Sequence, residues 1–570
     1  MSAVIAYDVV GVTPTRPAAT DFSDNLDTLG PVDLSPPILP VDIAPPTADA
    51  VVSELPISEL ELSVDSYRMP TFMDDYYYRI HIDPNELILG NIVSEQVNPV
   101  YVWNAYLESQ TMTAEPQVQE GVNLTGQPSA PLLFNALQVR EYTLSVTPDG
   151  TPVLDTYLHW AFGSGDDVAL HITATRIIGW SFAPDWGDSI TERLSFSTDI
   201  QRSESCAELR RALLLSPRRE FEARMYVEGR ERQLLDMMLF GWGARTWALP
   251  VWPDIQWLTS PVTAGSDRID CSTDNLDFRA GGLAMLRGED AIVYEVVEIN
   301  AIDSAGLDLV RGTARSWGRG SRLYPVRTAQ LLDQPALERI TDQAQGARVR
   351  FRLAEISDWP EMMPTTLYRG WPVLEERPDE TENLTSQFQR LVTELDSGLS
   401  LPLRTDIAER ALTMLGYRWI DMGREKRAAW RSLIYALRGR QAALWLPTFA
   451  DDITLSVTIE PADTGIDVVN IGYSRFGQQR PGRRDIRIEL RDGTIFHRRI
   501  TASTEIDDEI ERLVIDGALG RQVTPEQVGR ISYLSLCRGA NDTVEIEHIT
   551  DSEGPARSAV SFQGVRDDEF

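Results

Sequence analysis

Histidines, cysteines and paired carboxylates are the side chains with which this sequence could do chemistry, and their spacing decides which chemistry is open to it. His159, beside Trp160, and His171 fall in strand-like runs. Metal-assisted hydrolysis would need a partner at HExxH or HxH spacing, and neither histidine has one. A lone strand histidine reads first as a hydrogen-bonded structural residue. Carboxylate pairs such as Asp166-Asp167, Asp451-Asp452 and Asp507-Asp508 have the composition of a glycoside-hydrolase dyad. Among 86 acidic residues such pairs arise by chance, and none stands out. Gly241-Trp242-Gly243 is two-thirds of a dinucleotide loop, but it closes a helical stripe where that loop would open one. No calcium loop, nucleophile elbow or P-loop pattern is found. Cys206, Cys271 and Cys537 are odd in number, far apart and without a CxxC, which argues against a zinc ribbon or a disulfide framework. Their use fits a reducing cytoplasm. No catalytic, cofactor-binding or metal-ligating residue is assigned, and the expectation is a protein that is not an enzyme.

The elements that must position any site are bounded by bulk properties. At 570 residues the chain has room for roughly three or four domains. A net charge of −33 and a pI near 4.6 argue against binding nucleic acid by an outer surface, since neutralising phosphates takes clustered Lys and Arg. The same charge suits the wall of a conduit through which DNA slides, but many ordinary bacterial proteins carry it too, and that plainer reading comes first. No apolar run approaches the ~20 residues that span a bilayer, and the opening Met1-Ser2-Ala3-Val4 has neither a basic nor an apolar leader segment.

Residues 1–70 are rich in proline and aspartate, with Arg16 the only base before Arg68. They cannot make a core alone. Interspersed Val32, Leu34, Ile38 and Leu39 suggest an extended arm that lies across a neighbour. Residues 71–178 read as an immunoglobulin-like β-sandwich. Val100–Trp103, Glu141–Val146 and Ala169–Ala174 are β-rich runs, with turn signals at Thr147–Gly150 and Ser164–Asp166.

The remainder reads as one module written twice, at 179–360 and 361–570. Leu249-Pro-Val-Trp-Pro-Asp-Ile matches Leu446-Pro-Thr-Phe-Ala-Asp-Asp, and the match runs without a gap to Ile269-Asp270 and Ile466-Asp467. Each copy follows an amphipathic stretch that opens Gly-Arg-Glu, at Gly229 and Gly423, and ends near Gly241 or Gly439. Gly179-Trp180 is echoed by Gly370-Trp371. Ile190, Leu194, Phe196, Thr198 and Ile200 predict one continuous half-buried strand. Ile486, Ile488 and Leu490 lead into Asp492-Gly493, which predicts a two-residue type I′ hairpin. Thr524-Pro-Glu-Gln is a capping box. Each module is expected to be a β-barrel with one packed helix. Trp242, Trp247, Trp252 and Trp257 recur every five residues, a period that fits neither a strand face nor a helix stripe, so core and contact roles outweigh a sugar-binding platform. The paired arginines at 210–211, 218–219, 483–484 and 498–499 are expected to meet acidic groups of neighbouring subunits.

The stretch Leu437–Pro447 resembles the helix-to-strand corner of distal tail and baseplate proteins of long-tailed phages, in which a helix packs on a tube-type barrel. Arg218–Pro250 resembles the same corner. The continuation through Ala280-Gly281-Gly282 and Tyr324-Pro325-Val326-Arg327 is similar to tail-tip proteins of Mu-like, non-contractile Pseudomonas phages. The proline-rich start is no part of a minimal distal tail protein. The resemblance implies a virion structural protein, assembled in the bacterial cytoplasm, that joins the tail tube and tape measure to hub and fibre proteins. Two tandem tube-like barrels suggest a homo-oligomeric ring, three chains with pseudo-sixfold symmetry being favoured over six. No membrane partner and no sequence-specific nucleic acid are expected. A receptor- or carbohydrate-binding tail protein is the alternative, and a cell-wall hydrolase on a scaffold the weaker third.

Overall fold

The computed structural model describes residues 76–566, apart from 93, 94, 149, 152, 204, 400, 407 and 552. The expected arm, residues 1–70, and Asp149 of the expected turn lie outside the described residues. The protein is mainly β. It divides into two compact units, Met1–Arg176 and Ile177–Phe570.

Among the described residues the first unit carries nine strands: β1 (Ile80–Asp83), β2 (Glu86–Ile92), β3 (Gln96–Asn104), β4 (Gln110–Ala114), β5 (Val122–Thr125), β6 (Leu132–Phe134), β7 (Val139–Val146), β8 (Val153–Phe162) and β9 (Asp167–Arg176). They form two sheets, ordered β1-β3-β7-β5 and β2-β9-β8-β4-β6. The pairs are antiparallel except β2 with β9. Period-two alternation explains the layering. Along β8, Leu154, Leu158, Trp160 and Phe162 turn inward while Asp155, Tyr157 and His159 turn outward. Val100, Val102, Tyr142 and Leu144 from the other sheet join the same core. Each large apolar side chain so buried contributes roughly 1.5–3 kcal/mol. Gly165, at φ 93°, makes the tight turn from β8 to β9.

The second unit contains the same strand plan twice. An eleven-residue strand (Arg218–Glu228, Leu412–Met422) runs straight into a helix, α1 (Gly229–Trp242) and α2 (Gly423–Leu437) respectively. Both helices begin on a glycine with positive φ, 53° at Gly229 and 82° at Gly423. This is the physical reason for the repeated Gly-Arg-Glu: the strand must swing into the helix through a left-handed residue. Each corner glycine donates its N–H to the residue before the last strand of its module, Gly229 to Gln343 and Gly423 to Gly554. That last strand (Ala344–Leu353, Pro555–Gly564) pairs with the eleven-residue strand in both copies.

The helices lead to short buried strands that end in proline, Trp247–Pro250 and Ala443–Pro447. These pair with Arg322–Leu331 and Val528–Gly539. The following strands pair alike in both copies: Leu283–Arg287 with Tyr294–Asp303, and Asp485–Leu490 with Ile495–Glu505. Even a β-bulge recurs, between Ile299 and Ala301 in one copy and between Ile500 and Ala502 in the other. A bulge re-aims a strand, so its repetition marks common descent of the two modules more strongly than shared composition does.

Four local expectations are corrected. The strand from Ile190 breaks at Phe196 and Ser197, giving Ile190–Ser195 and Thr198–Arg202 in separate sheets. Helix α1 runs through Gly241 to Trp242, whereas α2 ends in a left-handed pair, Arg438 and Gly439. The counterpart of Trp180, which donates to the Ala248 carbonyl, is Leu374, which donates to the Trp445 carbonyl; Trp371 is not equivalent. The Asp492-Gly493 hairpin is not type I′. Gly493 N–H donates to the Leu490 carbonyl and Leu490 N–H to the Thr494 carbonyl, with Gly493 alone of the turn at positive φ (86°). That is a three-residue loop, a type I turn closed by a left-handed glycine. The capping box at Thr524 forms, on the short helix Pro525–Gln527.

Candidate functional site at the joint between the repeats

Strand Ile190–Ser195 is shared by the two modules. On one side it pairs antiparallel with Arg218–Glu228 of the first module, and on the other with Thr543–His548 of the second. Its inward face carries Ile190, Glu192 and Leu194, all fully buried. A carboxylate in that row must find partners, because an unpaired buried charge is very costly.

Glu192 has three partners. Arg219 Nε donates to Oε1 at 2.7 Å. Arg431 Nη2, from α2, donates to Oε2 at 3.0 Å. His548 Nε2 meets the same oxygen at 2.8 Å. Arg219 also donates to Asp277 at 2.5 Å, and Arg327 grips both oxygens of Asp277. Arg431 reaches Asp254 at 3.3 Å. Arg427 Nη2 contacts His548 Nδ1 at 3.0 Å and donates to the Pro253 carbonyl at 3.2 Å. The network therefore draws its members from both repeats and from the strand between them.

Electrostatics fix the protonation states. Burial alone would raise the Glu192 carboxyl, but Arg219, Arg431 and His548 together hold it well below its ordinary value. Burial works the same way on Asp277, and Arg219 and Arg327 overcome it. Burial and the nearby Arg427 and Arg431 push His548 down to about 4 against the pull of Glu192. The ring is thus neutral, with its proton on Nε2 toward Glu192 and its Nδ1 lone pair accepting from Arg427. Both ring nitrogens are engaged, so His548 has no lone pair to spare for a substrate. The arrangement is a lock rather than an acid–base pair.

A strap that follows the first module completes the joint. Ser357 shares a 2.6 Å hydrogen bond with the Tyr435 hydroxyl, Trp359 Nε1 donates to Ser432 at 3.0 Å, and Arg431 lies over the Trp359 ring. Beside it opens a cleft of about 980 Å³, lined by Asp277, Phe278, Arg279, Trp359 and one side of α2. Among the described residues no cluster of metal-ligating side chains is found.

The residues that the sequence singles out fall elsewhere. His159 pairs with Asp167 at 3.2 Å, and His171 with Asp155 at 2.8 Å while stacking on Tyr157, all on the outer face of the first unit. Asp452 and Asp507 accept backbone N–H groups, Asp452 from Tyr533 and Asp507 from Glu509 and Ile510. Trp242, Trp247 and Trp252 are buried, and Trp257 is half-exposed beneath Arg322. Cys206 and Cys537 are buried, and burial pushes the Cys271 thiol up to about 12. Of the paired arginines, Arg219 is held as above, Arg484 and Arg499 meet Asp485, and Arg498 donates to the Gly517 and Ala518 carbonyls. The joint leaves little local trace in the sequence beyond Glu192, which breaks an otherwise apolar row, and Arg427 and Arg431, which sit within a buried helix face. No protein-family model matches the chain, and no curated protein matches it.

Proposed function

We propose that this chain is a structural protein of a phage tail tip, in which two tandem tube-like barrels form part of a ring that continues the tail tube. The observation that carries this reading is the repeated strand plan held in one orientation by the Glu192 joint. A protein that must present two similar surfaces at a set angle needs such a joint. In this reading the buried charge pairs of the joint serve to select one geometry over near alternatives rather than to add stability. The resemblance of Arg218–Pro250 and Leu437–Pro447 to the helix-to-strand corner of distal tail proteins supports the same reading. The first unit, with its two sheets on one core, serves as an immunoglobulin-like sandwich for attaching hub or fibre proteins, and residues 1–70 as an arm across a neighbour.

Three chains with two barrels each match a sixfold tube above and a threefold hub below. The mass of the isolated assembly tests this: three chains per ring are expected, and six would end the trimeric version. Gold-labelled antibody against the chain should mark the tail end of virions. Label on capsids, or particles without this chain, would end the tail-tip reading.

A further inference from the structure

The two modules use equivalent surfaces unequally, and the difference identifies a docking surface. In the first module, strand Ile190–Ser195 and the hairpin Thr198–Arg202/Glu208–Ala212 reach across to the second module. Phe196 N–H donates to the Asp542 carbonyl at 2.8 Å, Thr198 Oγ1 to Asp542 at 2.7 Å, and Arg538 Nε to Glu208 at 2.9 Å. The second module repeats this arm as strand Thr385–Gln389 and the hairpin Val392–Leu395/Leu403–Asp406. Among the described residues that strand pairs only with its own module, and its five residues are exposed. Leu399 and Leu401 at the hairpin tip are 95% and 93% exposed.

The receiving surface is repeated as well. Strand Thr543–His548, which accepts Ile190–Ser195, lies beside Pro555–Gly564; its counterpart Leu337–Arg339 lies beside Ala344–Leu353. That counterpart is an exposed edge next to exposed Ile340. The helices show the same imbalance. Counted from the corner glycines Gly229 and Gly423, Met237 and Phe240 of α1 occupy the places of Arg431 and Ile434 on α2. Arg431 is buried against Trp359 and Ile434 is buried, whereas Met237 is exposed and Phe240 is 90% exposed.

We infer that copies of this chain join head to tail, the 385–406 arm of one copy adding its strand to edge Leu337–Arg339 of the next and reaching toward the Met237/Phe240 face of α1. The inference rests on the self-assembling reading above and names the surface that performs it. The occupant is a second copy because the chain already makes this joint once within itself. The arm offers exposed Phe388 in its strand and exposed Leu399 and Leu401 at its tip, and the edge awaiting it carries exposed Leu337 with exposed Ile340 beside it. An open edge strand is a ready template for pairing, and repeating a heterologous joint builds a ring if the rotation closes.

The internal joint supplies the register. Glu192 stands opposite Phe221 on one side and Ile546 on the other. Ser386 stands opposite Leu415 as Glu192 does opposite Phe221, and Leu337 opposite Ala347 as Ile546 does opposite Ser558. Ser386 of one copy therefore faces Leu337 of the next, within disulfide reach for a directly opposed pair.

The test mixes full-length Ser386→Cys chain with full-length Leu337→Cys chain under mild oxidation. A covalent dimer of one chain of each kind is expected, and neither variant alone should form one beyond the wild-type level. In parallel, Leu399→Asp/Leu401→Asp should weaken self-association at least about a hundredfold. Mixed with Phe240→Asp chain, it should still give a dimer that does not extend, which shows both variants folded. A wild-type ring with no cross-link and no response to these substitutions overturns this surface while leaving the ring reading intact. A wild-type chain that stays monomeric at every concentration overturns both.

Discussion

Arg431 and Glu192 are 239 residues apart in the chain, yet the Arg431 guanidinium donates to Glu192 Oε2 at 3.0 Å inside the joint. Both are buried, and Glu192 also serves Arg219 and His548. Removing one partner leaves a buried charge uncompensated, a loss of about 3–5 kcal/mol. Glu192→Gln and Arg431→Met should each lower the unfolding free energy of the full chain by that order in urea titrations at pH 7. A change below about 1 kcal/mol in both would show that the joint does not hold the modules.

His548 makes the joint sensitive to acid. Its folded value, about 4, lies below the ordinary 6.5, so the neutral ring stabilises the fold fully above pH 6.5. That contribution is lost as pH falls from 6.5 toward 4, because the unfolded chain takes up a proton that the joint refuses. At ~1.4 kcal/mol per unit the loss is about 3 kcal/mol. His548→Gln should flatten the stability profile over this window. An unchanged slope would mean that His548 is already charged in the fold.

Asp421 acts in the opposite direction. It is buried at the end of strand Leu412–Met422, and burial, with Glu376 nearby, raises it to about 7. The unfolded carboxyl ionises near 3.8, so Asp421 costs stability as pH rises from about 4 to 7. Asp421→Asn should stabilise the protein by about 2–4 kcal/mol at pH 8 and by little at pH 4. Equal effects at both pH values would exclude titration as the cause.

The corner glycines should behave as a pair. No heavy atom would crowd a Cβ at Gly229 or Gly423, so backbone strain alone opposes a side chain. Alanine at either site should cost about 1–2 kcal/mol. Asparagine, which tolerates the left-handed region, should cost less. Thermal melts of the four variants would show it, and alanine without effect would mean the corner can relax.

The duplication was legible because it lies in local order: proline after an apolar strand, glycine before a helix, and a constant offset between them. The β-rich runs of the first unit were legible for the same reason, since alternation is a property of neighbours. The joint was not, because each residue in it is ordinary in its own segment and becomes special only beside partners from distant segments. Glu192 gave the one local hint, a charge at an inward position between Ile190 and Leu194. The Asp492-Gly493 turn misled because its dipeptide suits two loop lengths, and the Asp492 carboxylate accepting the Thr494 N–H accompanies the longer one.

The strand that both modules share also sets a timetable for synthesis. Glu192 leaves the ribosome 356 residues before His548, its partner across the joint. At about 5–20 residues per second, one edge of Ile190–Ser195 waits about 20–70 seconds for its partner strand. Through that interval the nascent chain carries an open β edge that other strands can pair with, so slower translation of the intervening segment should raise the misassembled fraction.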